Sequence, residues 1–438
     1  MSHKTNYRSA FAIITILFFL WGFITVLVDS LIPRLREVFE LSYFEAGLVQ
    51  FAFFIAYFVF SVPAGFLLSR IGYQKGVVLG LGTMALGCLL FYPAASERLF
   101  SVFLLGYFTL AAGMTILQVA ANPYVSVLGS EPGASSRLNL SQAFNSLGTA
   151  IAPIVGAMFL LSDSIKSSQE ILLLSEKEQS SYLITEAAAV QKPFLFLAFA
   201  IAILALFFVF IKLPKILEKA PKDGYGKLLK NKNVLLGVLG IFLYVGAEVA
   251  IGSYLVNYFL DMNMASVILD NKSLHYVAQH ILNSPLEGKD PKGIVGAFVV
   301  LYWSGAMVGR FIGAYLTRVY NPSGVLAIFA FIAMAMLFIS MSTFGVVAMF
   351  SILAVGLFNS IMFPTIFTLT LEGLGDLKPQ ASGLLCMAIV GGAIIPPAYG
   401  YLTDLFGFKW ALLLLIICYG YILLFGILKQ KKPIKQGA

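Results

Sequence analysis

A few polar side chains interrupt long apolar stretches of this chain, and their types and spacing limit what they can do. Asp29 lies near the end of ITILFFLWGFITVLVDSLIP (Ile14–Pro33), and Glu248 sits within YVGAEVAIGSYLVNY (Tyr244–Tyr258). An acid at the centre of a membrane helix costs roughly 3 kcal/mol on insertion scales. Desolvation disfavours the charged form, so a carboxyl in such a place can exchange its proton within the physiological range. Gln118 and Asn122 are four residues apart, and Gln142 and Asn145 three apart, so each pair shares one helix face. Asn359 is a fifth deep amide. Faces of this kind must meet a partner helix or a water-filled cavity, because burying an unpaired amide in lipid is costly. Each carboxamide offers donors and an acceptor, a match for the adjacent hydroxyls of a neutral sugar-like ligand. Trp21, Tyr57, Tyr244 and Tyr254 could supply flat apolar surface to the C–H face of a sugar ring, or simply pack between helices.

These residues need elements that hold them away from water. The chain has 438 residues, 59% hydrophobic and 11% charged, with a mean hydropathy of +0.90. Soluble domains carry about 25% charged residues, so the composition identifies an integral membrane protein. Apolar runs of span length predict twelve helices, near 9–33, 44–69, 76–95, 100–128, 138–162, 193–213, 234–260, 294–318, 323–341, 344–371, 381–405 and 408–428. Cys88, Cys386 and Cys418 fall inside apolar runs, and no Cys/His cluster has metal-ligand spacing, so neither metal nor cofactor is expected. The net charge of +8 comes from cations flanking the spans and does not call for nucleic acid. The first span contains Asp29 and no small-residue cleavage site, which reads as a retained helix.

Cation bias orients the chain. With a cytoplasmic N-terminus, 18 Lys and Arg fall inside and 10 outside, with Arg310 within a span. Both termini are then cytoplasmic. The basic stretch KLPKILEKAPKDGYGKLLKNKN (212–233) holds seven lysines and divides the spans six and six. The expected domains are therefore 1–213, a linker at 214–233, and 234–438. Two polar external segments, near 163–192 and 261–293, have room for short surface helices. The halves resemble one another. GFLLSR (Gly65–Arg70) follows the second span and GAYLTR (Gly313–Arg318) the eighth; Gln118 lies five before Pro123, and Asn359 five before Pro364. Internal repeats of this sort build secondary transporters with a central site between two bundles. Arg310, in LYWSGAMVGRFIGAYLTR (Leu301–Arg318), is the one buried base available to neutralise an acid, although it lies too far toward the cytoplasmic side to pair with Asp29.

GFLLSRIGYQKG (Gly65–Gly76) resembles the loop motif of the major facilitator superfamily, with Ser69 where an Asp is common. LFFLWGFITVLVDSLIP, ILQVAANPYVSVLG, RLNLSQAFNSLG, YVGAEVAIGSYLVNY and GLFNSIMFPTIFTLTLEGLG together resemble its fucose permease branch, which includes bacterial glucose/galactose transporters. The resemblance implies an all-α membrane fold of two six-helix bundles and monosaccharide–proton symport by alternating access. It implies an essential acid at Asp29. Where fucose members have a Glu before AANP, this chain has Gln118, and where they tend to have Gln in helix seven it has Glu248. Glu248 is therefore expected to replace the lost carboxyl, either by coupling the proton together with Asp29 or by binding sugar hydroxyls. Gln118, Asn122, Gln142, Asn145, Asn359, Trp21, Tyr244 and Tyr254 are the expected sugar contacts. Glucose or galactose is the first expectation for the substrate, with L-fucose and N-acetylglucosamine as alternatives, sodium as the alternative coupling ion, and a monomer as the working unit. A membrane-embedded glycosyltransferase would need an acid or metal cluster at the surface, which the scattered external acids do not form. No ATP-binding motif occurs, so an ion or solute gradient must drive any transport.

Overall fold

Prolines and capping residues decide where the apolar runs become helices. The structure, a computed structural model, describes residues 7–38, 43–97, 99–159, 174–216 and 224–430, with the side chains of 28–38, 43–47, 156–159, 176, 179–181 and 183–190 outside the description. The first half contains α1 (Tyr7–Val38), α2 (Tyr43–Ile71), α3 (Tyr73–Ser96), α4 (Phe100–Val127), α5 (Ala134–Phe159) and α6 (Glu176–Phe210). The second contains α7 (Lys232–Asp261), α8 (Val299–Val319), α9 (Pro322–Ser342) and α10, in two pieces (Gly345–Asn359 and Met362–Leu371). It ends with α11, also in two pieces (Lys378–Met387 and Gly391–Phe406), and α12 (Phe408–Leu428). Among the described residues, eleven helices are long and apolar enough to cross a membrane. The twelfth, α5, has 26 residues, about 39 Å at 1.5 Å per residue, enough to span.

Two departures from the expected spans have physical causes, and the short helices expected in the polar segment near 261–293 are present. α6 begins at Glu176 rather than near 193, because Ser175 and Glu178 form a reciprocal capping box that starts the helix within the polar segment. The polar segment after α7 folds into short helices at Met264–Asp270, Lys272–Leu282 and Pro291–Gly296; Asn271 and Asp290 cap the last two. α10 breaks at Ser360 and Ile361, just before Pro364, whose missing N–H leaves the Ser360 carbonyl without its helical donor.

By contacts the described chain divides into two compact units. One comprises Met1–Glu131, Phe144–Asn231 and Leu371–Met387; the other comprises Pro132–Ala143, Lys232–Thr370 and Ala388–Ala438. In the first, α3 and α4 touch along glycines spaced by seven. A Cβ at Gly80 would lie 2.7 Å from the Leu117 nitrogen, one at Gly87 2.5 Å from the Leu110 nitrogen, and one at Gly113 2.4 Å from the Met84 nitrogen. Small residues let membrane helices approach at backbone distance, which replaces a hydrophobic driving force that lipid cannot supply. The same unit joins α11 to α2 and α4: Ser382 Oγ donates to the Val119 carbonyl at 2.9 Å, the group that Pro123 leaves without a donor. In the second unit the start of α5 meets α8 and α10. Ser136 Oγ donates to the Ala314 carbonyl at 2.6 Å, Ser135 and Thr368 hydroxyls share a bond of 2.7 Å, and Asn139 Nδ2 reaches Thr365 Oγ1 at 3.2 Å. Each unit thus fixes a segment of the other sequence half through hydroxyls and amides.

Candidate functional site

In the first unit, α4 places Gln118 and Asn122 on one buried face. Gln118 Oε1 accepts a hydrogen bond from Tyr57 Oη of α2 at 2.8 Å. Asn145 of α5 donates through Nδ2 to the Phe18 carbonyl at 2.9 Å. The approach of α1 to α5 that allows this bond is set by glycine, since a Cβ on Gly22 would fall 2.3 Å from the Asn145 carbonyl oxygen. Trp21 is buried beside Phe18, edge to face, with ring centroids 5.6 Å apart. Asp29 belongs to α1, and its side chain lies outside the described residues.

The second unit builds a polar cluster inside apolar helices. Tyr244 and Glu248 are one turn apart on α7 and face the same way. Both Tyr244 Oη and Glu248 Oε1 are buried; the phenol is close enough to act on the carboxylate, but neither atom completes a hydrogen bond of good geometry. At the break in α10, Asn359 is fully buried and donates through Nδ2 to Tyr302 Oη at 2.7 Å and to Tyr419 Oη at 3.2 Å. Gln142, on the part of α5 that belongs to this unit, is buried, and its carbonyl accepts from Arg310 Nη1 at 3.4 Å. Tyr254 stacks obliquely on Tyr399 of α11, centroids 5.3 Å apart, above Gly400.

Of the expected site residues, the structure places Glu248, Tyr244 and Asn359 in the interior of one unit, and Gln118, Asn122, Asn145 and Trp21 in the interior of the other. Two participants were not named by the sequence: Tyr302 and Tyr419. The spacing of Tyr244 and Glu248 was a readable signal. Tyr302 and Tyr419 are 57 and 60 residues from Asn359, and nothing local announces those contacts. Among the described residues no group of His, Cys, Asp and Glu is placed to hold a metal ion.

A chemistry of hydroxyl-directed amides and a half-satisfied buried acid, carried on apolar helices of span length in two halves of like pattern, defines a multi-pass membrane protein, and the chain belongs to the Major Facilitator Superfamily, whose family model matches residues 10–389. The chain is 46% identical over 433 residues to the glucose/galactose transporter of Brucella abortus, covering 98% of this chain and 96% of that protein. It is 42% identical over 435 residues to the putative glucose/galactose transporter of Helicobacter pylori, covering 98% of each. To the L-fucose-proton symporter of Escherichia coli it is 34% identical over 435 residues, covering 96% of this chain and 93% of that protein. Among solved structures, it is similar to the crystal structure of the Major Facilitator Superfamily transporter FucP in the outward conformation, with a TM-score of 0.86 at 33% identity, covering 97% of this chain and 100% of that one.

Proposed function

We propose that the protein carries a monosaccharide, glucose or galactose, across the membrane in symport with a proton by alternating access. The observation that carries this reading is the Glu248 carboxyl, buried on α7 one turn from Tyr244, with its Oε1 lacking a hydrogen bond. A buried polar atom left unsatisfied in this way needs a reason, and a site that takes and gives up a proton is one. The names of the relatives support sugar as the cargo and a proton as the coupling ion.

In this reading Asp29 and Glu248 carry the proton, and Gln118, Asn122, Gln142, Asn145 and Asn359 address sugar hydroxyls, with Trp21, Tyr244 and Tyr254 as aromatic surface. The bundles are 1–213 and 234–438, joined by the basic linker 214–233, in a monomer of the bacterial inner membrane with both termini cytoplasmic. The test is uptake of labelled glucose, galactose, L-fucose and N-acetylglucosamine into proteoliposomes of the full chain, under an imposed proton gradient, a sodium gradient or neither. Accumulation of glucose or galactose that a protonophore collapses is expected. Accumulation that follows sodium, or preference for L-fucose or N-acetylglucosamine, would replace the ion or the sugar in the reading, and no gradient-driven uptake of any of them would reject it.

A further inference from the structure

An asparagine amide carries two donor hydrogens and one acceptor oxygen, and the group it shows a ligand depends on what holds the other. Asn359 ends the first piece of α10, directly before the break at Ser360 and Ile361. It is 0% exposed, as are Tyr302 of α8 and Tyr419 of α12. Nδ2 donates to Tyr302 Oη at 2.7 Å and to Tyr419 Oη at 3.2 Å, so both amide hydrogens are taken. Oδ1 is buried and accepts nothing. Turned the other way, the amide would bury two N–H donors without acceptors, which folded proteins avoid more strictly than an under-satisfied carbonyl. Close packing holds the arrangement in place. A Cβ on Gly356 would fall 2.2 Å from the Tyr302 carbonyl oxygen, and one on Gly309 would fall 2.2 Å from the Leu357 carbonyl oxygen. α8 therefore runs along the first piece of α10 at backbone distance. Gly356 lies three residues before Asn359 and shares its helix face, so the approach that admits Tyr302 also delivers its hydroxyl to the amide.

We propose that Tyr302 and Tyr419 are positioning residues for sugar recognition: by taking both amide hydrogens they leave Asn359 an acceptor only, through Oδ1, and this acceptor requires a donating hydroxyl on the sugar. The proposal rests on the reading of Asn359 as a sugar contact. A buried acceptor left open needs a reason, and a hydroxyl hydrogen of the cargo is one. The arrangement is selective in a defined way. A fluorine in place of that hydroxyl keeps most of its size and can accept, but it has no hydrogen to give, so it meets Oδ1 as one acceptor meets another. An amide free to turn would instead offer the fluorine its Nδ2.

Competition against equilibrium exchange of labelled glucose, with the full chain in proteoliposomes, tests this with the deoxy and deoxyfluoro analogues at each sugar hydroxyl in turn. In the wild-type protein both analogues at one position should compete at least about fivefold less well than glucose, the worth of one hydrogen bond. In Asn359→Ala both penalties at that position should fall below about twofold, because the partner atom is gone. In Tyr302→Phe combined with Tyr419→Phe the fluoro penalty should fall by at least half while the deoxy penalty stays. Phenols that serve packing alone would weaken glucose and its analogues alike and leave these ratios unchanged. An unchanged fluoro penalty in the double phenylalanine variant overturns the positioning role while leaving Asn359 as a contact. A wild-type protein that loses the deoxy analogue but takes the fluoro analogue as well as glucose also overturns it, since the amide then offers a donor. Penalties that all survive in Asn359→Ala remove Asn359 from sugar recognition, and the proposal with it. If Asn359→Ala does not yield monodisperse protein, Tyr302→Phe and Tyr419→Phe decide singly: a smaller fluoro penalty at one shared position supports the proposal, and no change at any position overturns it. No exchange of labelled glucose by the wild-type protein rejects the glucose reading itself, and the proposal falls with it.

Discussion

Asn359 commits its amide hydrogens to two tyrosine hydroxyls and keeps its own carbonyl oxygen buried with no donor. Replacing it with alanine should therefore strand Tyr302 and Tyr419 in the interior. Interhelical hydrogen bonds in membranes average about 0.6 kcal/mol, and a stranded buried group costs about 1–3 kcal/mol, so Asn359→Ala should destabilise by about 1–3 kcal/mol. Thermal unfolding in detergent reads this directly, and an unchanged midpoint would mean that the phenols find other partners. Tyr57 offers a cleaner case. Its hydroxyl is the donor to Gln118 Oε1 at 2.8 Å, and Tyr57→Phe removes only that oxygen. With Gln118 as a sugar contact, the loosened amide should raise the half-saturation for glucose by roughly five- to tenfold, since about 1 kcal/mol is about a factor of five. A wild-type value would remove the Tyr57–Gln118 pair from binding. At this scale the sequence disclosed which polar residues lie deep, because an acid or amide inside an apolar run stands out. It could not disclose the partners: Tyr57 is 61 residues from Gln118, and a tyrosine in a span looks like any other aromatic.

Helix existence was legible from apolar length, and helix contact much less so. The seam between α3 and α4 is an example. Gly80 and Gly87 on one helix, and Gly106 and Gly113 on the other, repeat at seven, but Gly82 lies in the same stretch of sequence with open space around its Cβ position. Only the packing separates the two kinds of glycine. Gly113→Leu drives a side chain into the Met84 backbone, an overpacking cost of at least about 1–3 kcal/mol, and should abolish recovery of monodisperse protein. Gly82→Ala should leave yield and thermal midpoint at or slightly above wild type, because alanine is the better helix former. Size-exclusion profiles of the two variants check the pair, and tolerance of Gly113→Leu would show that α3 and α4 are not held at backbone distance. The break in α10 was hidden for a related reason. Proline marked the region, yet its effect depends on which group takes the freed carbonyl: Ser382 does so for Val119 on an unbroken α4, and Arg310 for Ser360 at the break in α10.

For the molecule as a whole, one change of unit falls after Asn231, within the lysine-rich stretch 212–233. The exchange of Pro132–Ala143 and Leu371–Met387 between the units was out of reach, because it depends on contacts more than 200 residues apart, such as Asn139 with Thr365 and Val119 with Ser382. Orientation is another property of the whole chain, and cation bias is the physical argument for it: translocating lysine-rich segments is disfavoured, so the 212–233 stretch should remain in the cytoplasm. The native thiols make this simple to test, since Cys88, Cys386 and Cys418 are all buried and free, and the unaltered protein should take up little membrane-impermeant maleimide. Lys230 and Lys272 are exposed, the first in the basic linker and the second at the start of the surface helix Lys272–Leu282. A Lys272→Cys variant should be labelled in intact cells. A Lys230→Cys variant should be labelled only in inverted vesicles, or after the membrane is permeabilised. The reverse pattern would invert the topology.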